Sequence, residues 1–524
     1  MRSAHLFLLC LCLAHVSHSS ETVNIVTATD LIQVFKNAKG SAVDVNIEVK
    51  ADLDFSQTSL IFPLGASPSG TCVPYSGVLH GNGHIIKGLL MSNKDKPLEL
   101  NHAGLFCRLE NAVIENLVID SSCLFAGYSA GSLAVSVTGS LTVTNVINKA
   151  SVTGTSSVGG FVGEIKNSVK GDLVLFDKCT NEGKITGDNG VGGLVGFIFD
   201  NQNSRITVSS SANNGIITSD LDVVGGLIGH VDKNSGITLK ISESTNNGVV
   251  TSPSQVGGLV GYVGSGNESR TSMIISKSTN NGRVTGDGTV GGLVGIIASN
   301  VTMEFSRCVN DGRLICGKNG FVGGFVGELQ ASTSVKISSS TNKHYVIGRG
   351  SYSAGFIGNT FSDDLSNPVT LVILNSANEG DISSDNGTAC GMFCVNPTGT
   401  RGVKSVVINS INKGDIGANI YGYGVSTVVT TARNVVSMGK VGSGSFSFWE
   451  SSTDADLLYG MKDKCHSCPS RVKLFEFNWF SGFFEVVPGG NRVHDLLNDV
   501  ARREHFGMLW TSKLNLVDTK ASSL

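Results

Sequence analysis

The chain has 524 residues, yet only 15% of them are charged, and 66 are Gly against 9 Pro. Ordinary globular proteins carry about a quarter charged residues, so this composition points to a β-rich chain that turns tightly and often, with few long helices. A formal net charge of −3 leaves no basic footprint for nucleic acid, and no run of like charges marks a solvated tail.

The first 20 residues read as an export signal. Arg2 supplies a basic start, Leu6 to Val16 an apolar core of signal-peptide length, and Ser17-His18-Ser19 a small-x-small cleavage site. That run is too short to span a bilayer, and no later run is long enough. The ending VDTKASSL lacks the hydrophobic tail of a lipid-anchor signal. The expectation is a secreted or cell-surface product beginning near Ser20 or Glu21. Residues 21–101 are expected to form an N-terminal cap and a first coil. A short helix is predicted around Thr29 to Phe35, with Thr29 or Asp30 as its cap.

Internal repetition decides the architecture of residues 102–443. The block VGGFVG at Val158 returns as VGGLVG at Val191, VGGLIG at Val224, VGGLVG at Val256 and Val290, and VGGFVG at Val322. Weaker copies stand at Ser353 (SAGFIG) and Ala389 (ACGMFC), and the steps of 31 to 36 residues are a solenoid period. A second column keeps the same beat: Asn148, Asn181, Asn213, Asn246, Asn280, Asn310, Asn342, Asn378 and Asn412. Four places after each stands an aliphatic residue, from Val152 to Ile416, and five places before each an apolar one, from Val143 to Val407. Two places before, the column is mostly small: Cys179, Ser211, Ser244, Ser278, Cys308, Ser340, Ser376 and Ser410. Constant positions alternating with variable ones mark strands with one buried face. The step from five before to two before is odd, so a bend or bulge has to lie between them.

Each period is expected to supply three short strands, x-V-x-I-S, G-x-I-T and V-G-G-L-V-G, pairing with their copies about 4.8 Å above and below. One coil cannot bury its apolar face, but about ten stacked coils can, as a rod on the order of 50 Å long. Asn in a corner column either forms a side-chain amide ladder that replaces missing strand pairing or tolerates a left-handed turn. The repeated Gly-Gly has neither a following helix start nor a Lys, so it indicates close backbone approach rather than a phosphate loop.

These residues carry a family resemblance. The G-L-V-G core, fullest at Gly192 to Gly196, Gly258 to Gly261 and Gly292 to Gly295, resembles the GLUG motif of secreted and surface repeat proteins. Ala51-Asp52-Leu53-Asp54-Phe55, the segment Leu79 to His84 (LHGNGH) and the segment Ala103 to Asp120 look like the openings usual in that context, with Cys107 in place of an expected Gly. The resemblance covers about residues 28–443. It implies an all-β fold, a right-handed parallel β-helix of about ten coils with N- and C-terminal caps, similar to the pectin-lyase architecture. It also implies roles in adhesion or surface structure, although some GLUG repeats sit beside proteases.

From residue 444 the character changes, with Trp449, Phe475, Phe477, Trp479, Phe480, Phe483 and Phe484 crowded together. Residues 444–524 read as a C-terminal capping region, because an open solenoid end exposes unpaired strand edges. A helix is predicted from Asn491 to about Phe506, with Val493, Leu496, Leu497 and Val500 on one face.

No catalytic, cofactor or metal site emerges. Asp363-Asp364 is the only adjacent acidic pair inside the repeats, His80 and His84 flank turn chemistry, and Asp188 and Asp287 lie in turn sequences. Of the 12 cysteines, Cys10 and Cys12 fall in the leader, leaving ten. Cys179 and Cys308 share one repeat position and read as small buried hydrophobes. Cys465 and Cys468 admit a redox motif, half a zinc site or a local disulfide; without a second pair at zinc-finger spacing, structural pairing is preferred. Asn267, Asn300 and Asn386 are glycosylation candidates. The connections after each G-L-V-G differ most between copies, from EIKNSVKGD through FIFDNQNSR and HVDKNSG to NTFSDDLSNP, and read as variable recognition loops. The expected function is an adhesin or binding scaffold for an extracellular glycan or a host or matrix protein. The alternatives are a carbohydrate-active β-helix enzyme and an inert coat protein.

Overall fold

The computed structural model describes residues 21–418 except 39–41, 59, 61, 68–69, 93–101, 167–170, 267–268, 319, 351, 363–364, 386 and 396–401. Beyond 418 it describes 421–423, 431–438, 445–447, 454–461, 472–478, 483–487, 492–503, 508–511, 514 and 516–518. The chain is a β-solenoid of stacked parallel strands, with two helices among the described residues.

One coil shows the plan. Val195–Phe199 and Arg205–Ser209 run along the first side, and Ala212–Asn213 continues it after a kink. A corner leads to Ile217–Ser219 on the second side, and Val224–Gly225 forms the third before the chain returns to Ile228. Copies of the first side make a 34-stranded sheet, those of the second an 11-stranded sheet and those of the third a 12-stranded sheet. Register is strict: Val195 lies opposite Ile228, Ile198 opposite Val231, Val208 opposite Ile241 and Asn213 opposite Asn246. Leu194, Val195, Ile198, Val208 and Ile217 are all fully buried. Each such side chain contributes about 1.5–3 kcal/mol relative to exposure.

The V-G-G-L-V-G block, expected as one strand, is an elbow between two. Val191–Gly192 belongs to the third side and Val195–Phe199 to the first. At the bend a Cβ on Gly193 would collide with the Gly226 carbonyl of the next coil and with the Asn213 amide. Only Gly lets backbone stack on backbone this closely.

The odd step between buried columns has a single cause. The residue three places before each ladder Asn is left-handed, with φ between 47° and 56° in Asn145, Lys178, Ser210, Glu243, Lys277, Arg307, Ser339, Asn375 and Asn409. That turn rotates the strand by one position, so the columns on both sides of it face inward. The next residue repairs the sheet at the kink. Ser211 and Ser244 each donate their backbone N–H to the hydroxyl of the next coil's Ser, both at 3.2 Å, and the Ser211 hydroxyl donates to the Ser209 carbonyl at 2.7 Å. Cys179 and Cys308 take this place as buried free thiols, and burial pushes both up to about 12.

The Asn column closes the following corner. Each Nδ2 donates to Oδ1 of the next Asn, from Asn148 through Asn412, in eight steps of 2.7–2.9 Å. Each also donates to the carbonyl two residues on, as Asn246 does to Gly248 at 3.0 Å. All nine are fully buried. Every polar atom of an interior rung therefore has a partner where water cannot reach.

The stack begins with Thr22–Ile25 on Asn46–Val49, followed by Val78–His80 and the long strand Phe106–Ile119. Helix α1 (Ala28–Asn37) covers this end. Its cap is Thr27, two residues before Thr29 and three before Asp30, the caps the sequence suggests: Thr27 Oγ1 accepts from Asp30 N, and Asp30 Oδ2 accepts from Thr27 N at 2.8 Å. Asp30 thus serves as the third helical residue of a capping box. Phe35 leans on Tyr75 and Phe106, with ring centres 6.1 and 5.7 Å apart.

At the other end Asp454–Met461 and Val472–Asn478 continue the parallel stack, and Phe483–Val487 closes it antiparallel. Helix α2 (Val493–Arg503) lies within the predicted span, whose ends at 491 and 504–506 fall outside the described residues. It packs along the flank of the last coils, in a buried cluster with Ala377, Ile411, Val436 and Trp510. The outward position just before the ladder Asn is a half-buried Thr at 245, 279 and 341, and becomes buried Ala377 and Ile411 beneath this segment. Trp510 Nε1 donates to Asn375 Oδ1 at 2.9 Å, which pins the segment to the kink column.

Candidate ligand-binding face

The strand after each elbow turns at its Gly, so Val195 and Ile198 both face the core while Phe197 and Phe199 face outward. The first outward position forms a column of its own: Glu164, Phe197, His230, Tyr262, Ile296, Glu328 and Asn359, each opposite the next. Two residues further out stand Lys166, Phe199 and Asp232. Phe197 lies 4.9 Å from Phe199 and stacks on His230 at 4.4 Å, and Tyr262 meets His230 edge-on at 4.7 Å. Lys166 Nζ sits 5.2 Å from the Phe199 ring centre and 3.2 Å from the Asp200 carboxylate. The four rings are half-buried, so each keeps one part open to solvent.

Burial shapes the charges of this strip. Both His230 nitrogens are shielded and have no hydrogen-bond partner. Desolvation lowers the His230 pKa, partly opposed by Asp232 and Asp222, so the ring is a neutral plate at pH 7. Burial pushes the Tyr262 hydroxyl up to about 12 and raises the carboxyls of Glu164 and Glu328 above their ordinary range. Neither Glu164 nor Asp232 has a hydrogen-bond partner among the described residues, and Lys166 attracts the Glu164 carboxylate from a distance. Glu164 and Glu328 are five coils apart along the column, about 24 Å at the coil rise. That exceeds the reach of paired-carboxylate hydrolysis. Among the described residues no group of three or more His, Cys, Asp or Glu is arranged to hold a metal ion. The arrangement offers flat apolar rings bordered by open acceptors, which suits binding.

The residues singled out from sequence fall elsewhere. Asn300 stands in a left-handed turn, φ 62°, with its side chain half-exposed and its carbonyl accepting from Thr271 N. Asn267, Asn386, Asp363, Asp364, Cys465, Cys468 and the leader lie outside the described residues. His80 bonds Glu115 through Nδ1 at 2.6 Å, and His84 lies 3.4 Å from Asp52, so both histidines tie neighbouring coils together while Asn82 makes the turn. Asp188 is a turn residue whose carbonyl accepts from Ser219.

The connections read as variable recognition loops begin differently from that reading. Their first residues are strand, and Ile198, Val231 and Val263 are core. Asn201 and Asn234, both buried, bridge two of them at 2.8 Å. Sequence reasoning also missed two disulfides. Cys72–Cys107 joins neighbouring coils, which accounts for Cys107 where Gly was expected, and Cys390–Cys394 closes a short loop. The aromatic strip was missed because it starts one residue past the repeated block, just where alignment of the copies loses its hold.

No protein-family model matches this chain, and no curated protein matches it. Among solved structures, it is similar to a candidate immunoglobulin A1 protease from Bacteroides ovatus: 17% identity, TM-score 0.40, covering 60% of this chain and 84% of that one. It is also similar to tailspike protein 3 of bacteriophage CBA120, at 10% identity and TM-score 0.25, covering 95% of this chain and 69% of that one. No helix among the described residues is long and apolar enough to cross a membrane.

Proposed function

We propose that this is an exported, non-enzymatic binding protein, secreted or held at a cell surface, whose solenoid is a rigid frame for a ligand-contacting face. One observation carries the reading. Within the same short strand, the first inward position is Val or Ile in all seven coils from Val162 to Ile357, while the outward position two residues on is Glu, Phe, His, Tyr, Ile, Glu and Asn. Packing holds the first set constant, and variation on a constant scaffold is where recognition resides. The signal-like leader, the disulfides and the resemblance to GLUG surface proteins agree with an oxidising, extracellular setting. A repetitive rod gains from many weak contacts, since each bound coil raises the effective concentration for the next.

The test is binding of purified protein to intact cells and to extracellular matrix, followed by surface resonance. Changing outward residues of the first sheet should lower binding in steps, while changing Thr218 and Thr251 on the second sheet should leave it intact. Wholesale exchange of 197–205 is unsuitable because it would open the core at Ile198. Absence of binding to any surface would overturn the reading. So would turnover of a polysaccharide that is lost with Glu164→Gln alone.

A further inference from the structure

We infer that Phe197, Phe199, His230 and Tyr262 form a track for an uncharged saccharide chain, with Glu164 and Asp232 accepting hydrogen bonds from its hydroxyls. This rests on the binding reading above and names its ligand class.

Three observations carry it. First, the rings come from three successive coils at centre spacings of 4.4–4.9 Å, too close to lie side by side, so they pack on one another and present a continuous apolar ridge along the rod rather than a single pocket. An extended ligand with flat apolar faces fits such a surface, and the C–H faces of pyranose rings supply them. Second, the strip is bordered by acceptors without hydrogen-bond donors: the carboxylates of Glu164 and Asp232 accept no hydrogen bond among the described residues, and only Lys166 attracts Glu164. A ligand that covers the rings must bring its own donors to these oxygens, because a desolvated, unpaired acceptor is costly. Hydroxyls placed around an apolar ring do this, and an acyl chain does not. Third, the local charge is acidic. The cations beside the strip, Lys166 and Lys233, are outnumbered by Glu164, Asp200, Asp222 and Asp232. An anionic polymer would meet a net negative strip, so the ligand is uncharged.

Affinity electrophoresis of the full chain tests this, with soluble mannan, xyloglucan and mixed-linkage β-glucan as neutral probes and polygalacturonate as the anionic one. At least one neutral polymer should retard the protein, and polygalacturonate should not. The double variant F197L/Y262L keeps apolar bulk but removes two flat rings, and should weaken retardation about tenfold. Its melting temperature should stay close to that of the parent. Should that variant unfold, F199L and D232N, placed at the margin of the strip, provide the same reading. Thr251→Ala on the second sheet should change nothing. Neutral-polymer binding that ignores the ring and Asp232 variants would overturn the site, and equal retardation by polygalacturonate would overturn the charge argument. Binding to cells or matrix with no retardation by any neutral polymer would sink the saccharide assignment and leave the binding reading standing. Failure of both assays would end both.

Discussion

Two columns of the central coils sit a few residues apart and obey opposite rules. The Asn column is polar and never varies from Asn148 to Asn412, whereas the outward column from Glu164 to Asn359 runs through six residue types. Hydrophobicity does not separate them, because the constant column is the more polar of the two. Reciprocity does. Each buried amide accepts from the coil before, donates to the coil after, and donates to its own corner, so any replacement strands three neighbours. An outward side chain owes its neighbours contact area only.

The sharpest way to break this contrast is Asn246→Asp. The carboxylate keeps the shape but loses both donors, leaving the Gly248 carbonyl and Asn280 Oδ1 unpaired beside a buried charge. The expected cost is about 4 kcal/mol, read as a large fall in melting temperature and faster amide exchange at the flanking coils. An Asp variant as stable as the parent would dissolve the distinction.

A middle-sized effect belongs to the kink column, which is constant in conformation but free in identity. Ser210 is exposed and left-handed, with φ 47°. Ser210→Val should cost about 1–2 kcal/mol, because a β-branched side chain is strained there, while Ser210→Asn should be neutral. Equal melting temperatures for the two would show that the kink can relax.

The smallest effect sharpens the outer column. Burial holds His230 below the ordinary His pKa of about 6.5, so the unfolded chain takes up its proton first. Stability is therefore lost as pH falls from about 6.5 towards the lowered folded value, and the loss is complete below it. His230→Phe removes this loss and keeps an aromatic plate between Phe197 and Tyr262. Denaturant midpoints at pH 7 and pH 5 should show the parent losing more stability than the variant. Glu164 and Glu328, raised by burial, shift in the opposite sense, but they are common to both proteins and cancel in the comparison.

Sequence made the inner columns legible because stacking forces the same residue into the same place in each coil. It exposed the kink only as a conflict of parity; the left-handed residue itself was hidden, since Lys178, Glu243 and Arg307 carry no left-handed preference. The elbow within V-G-G-L-V-G was hidden for a related reason. Gly marks close approach, but does not say whether a strand passes through it or ends at it. The flank docking of Trp510 was not readable, because the outward position of Ala377 and Ile411 is also apolar at Ile147, Ala212 and Val309, away from that segment. Nor was the pairing of Cys72 with Cys107, since coil stacking places them together across 35 residues.

The amide ladder also sets how the rod should respond to tension. Its bonds join only adjacent coils, so a pull on the C-terminal end loads one interface at a time and the stack should peel rather than rupture as a whole. Each released coil of about 33 residues would pay out about 110 Å of extended chain. Peeling would run towards the N-terminus until it met the coils clasped by Cys72 and Cys107, where a covalent bond holds back the chain between two cysteines 35 positions apart. A protein built this way lengthens under load in even steps and keeps its first coils for last.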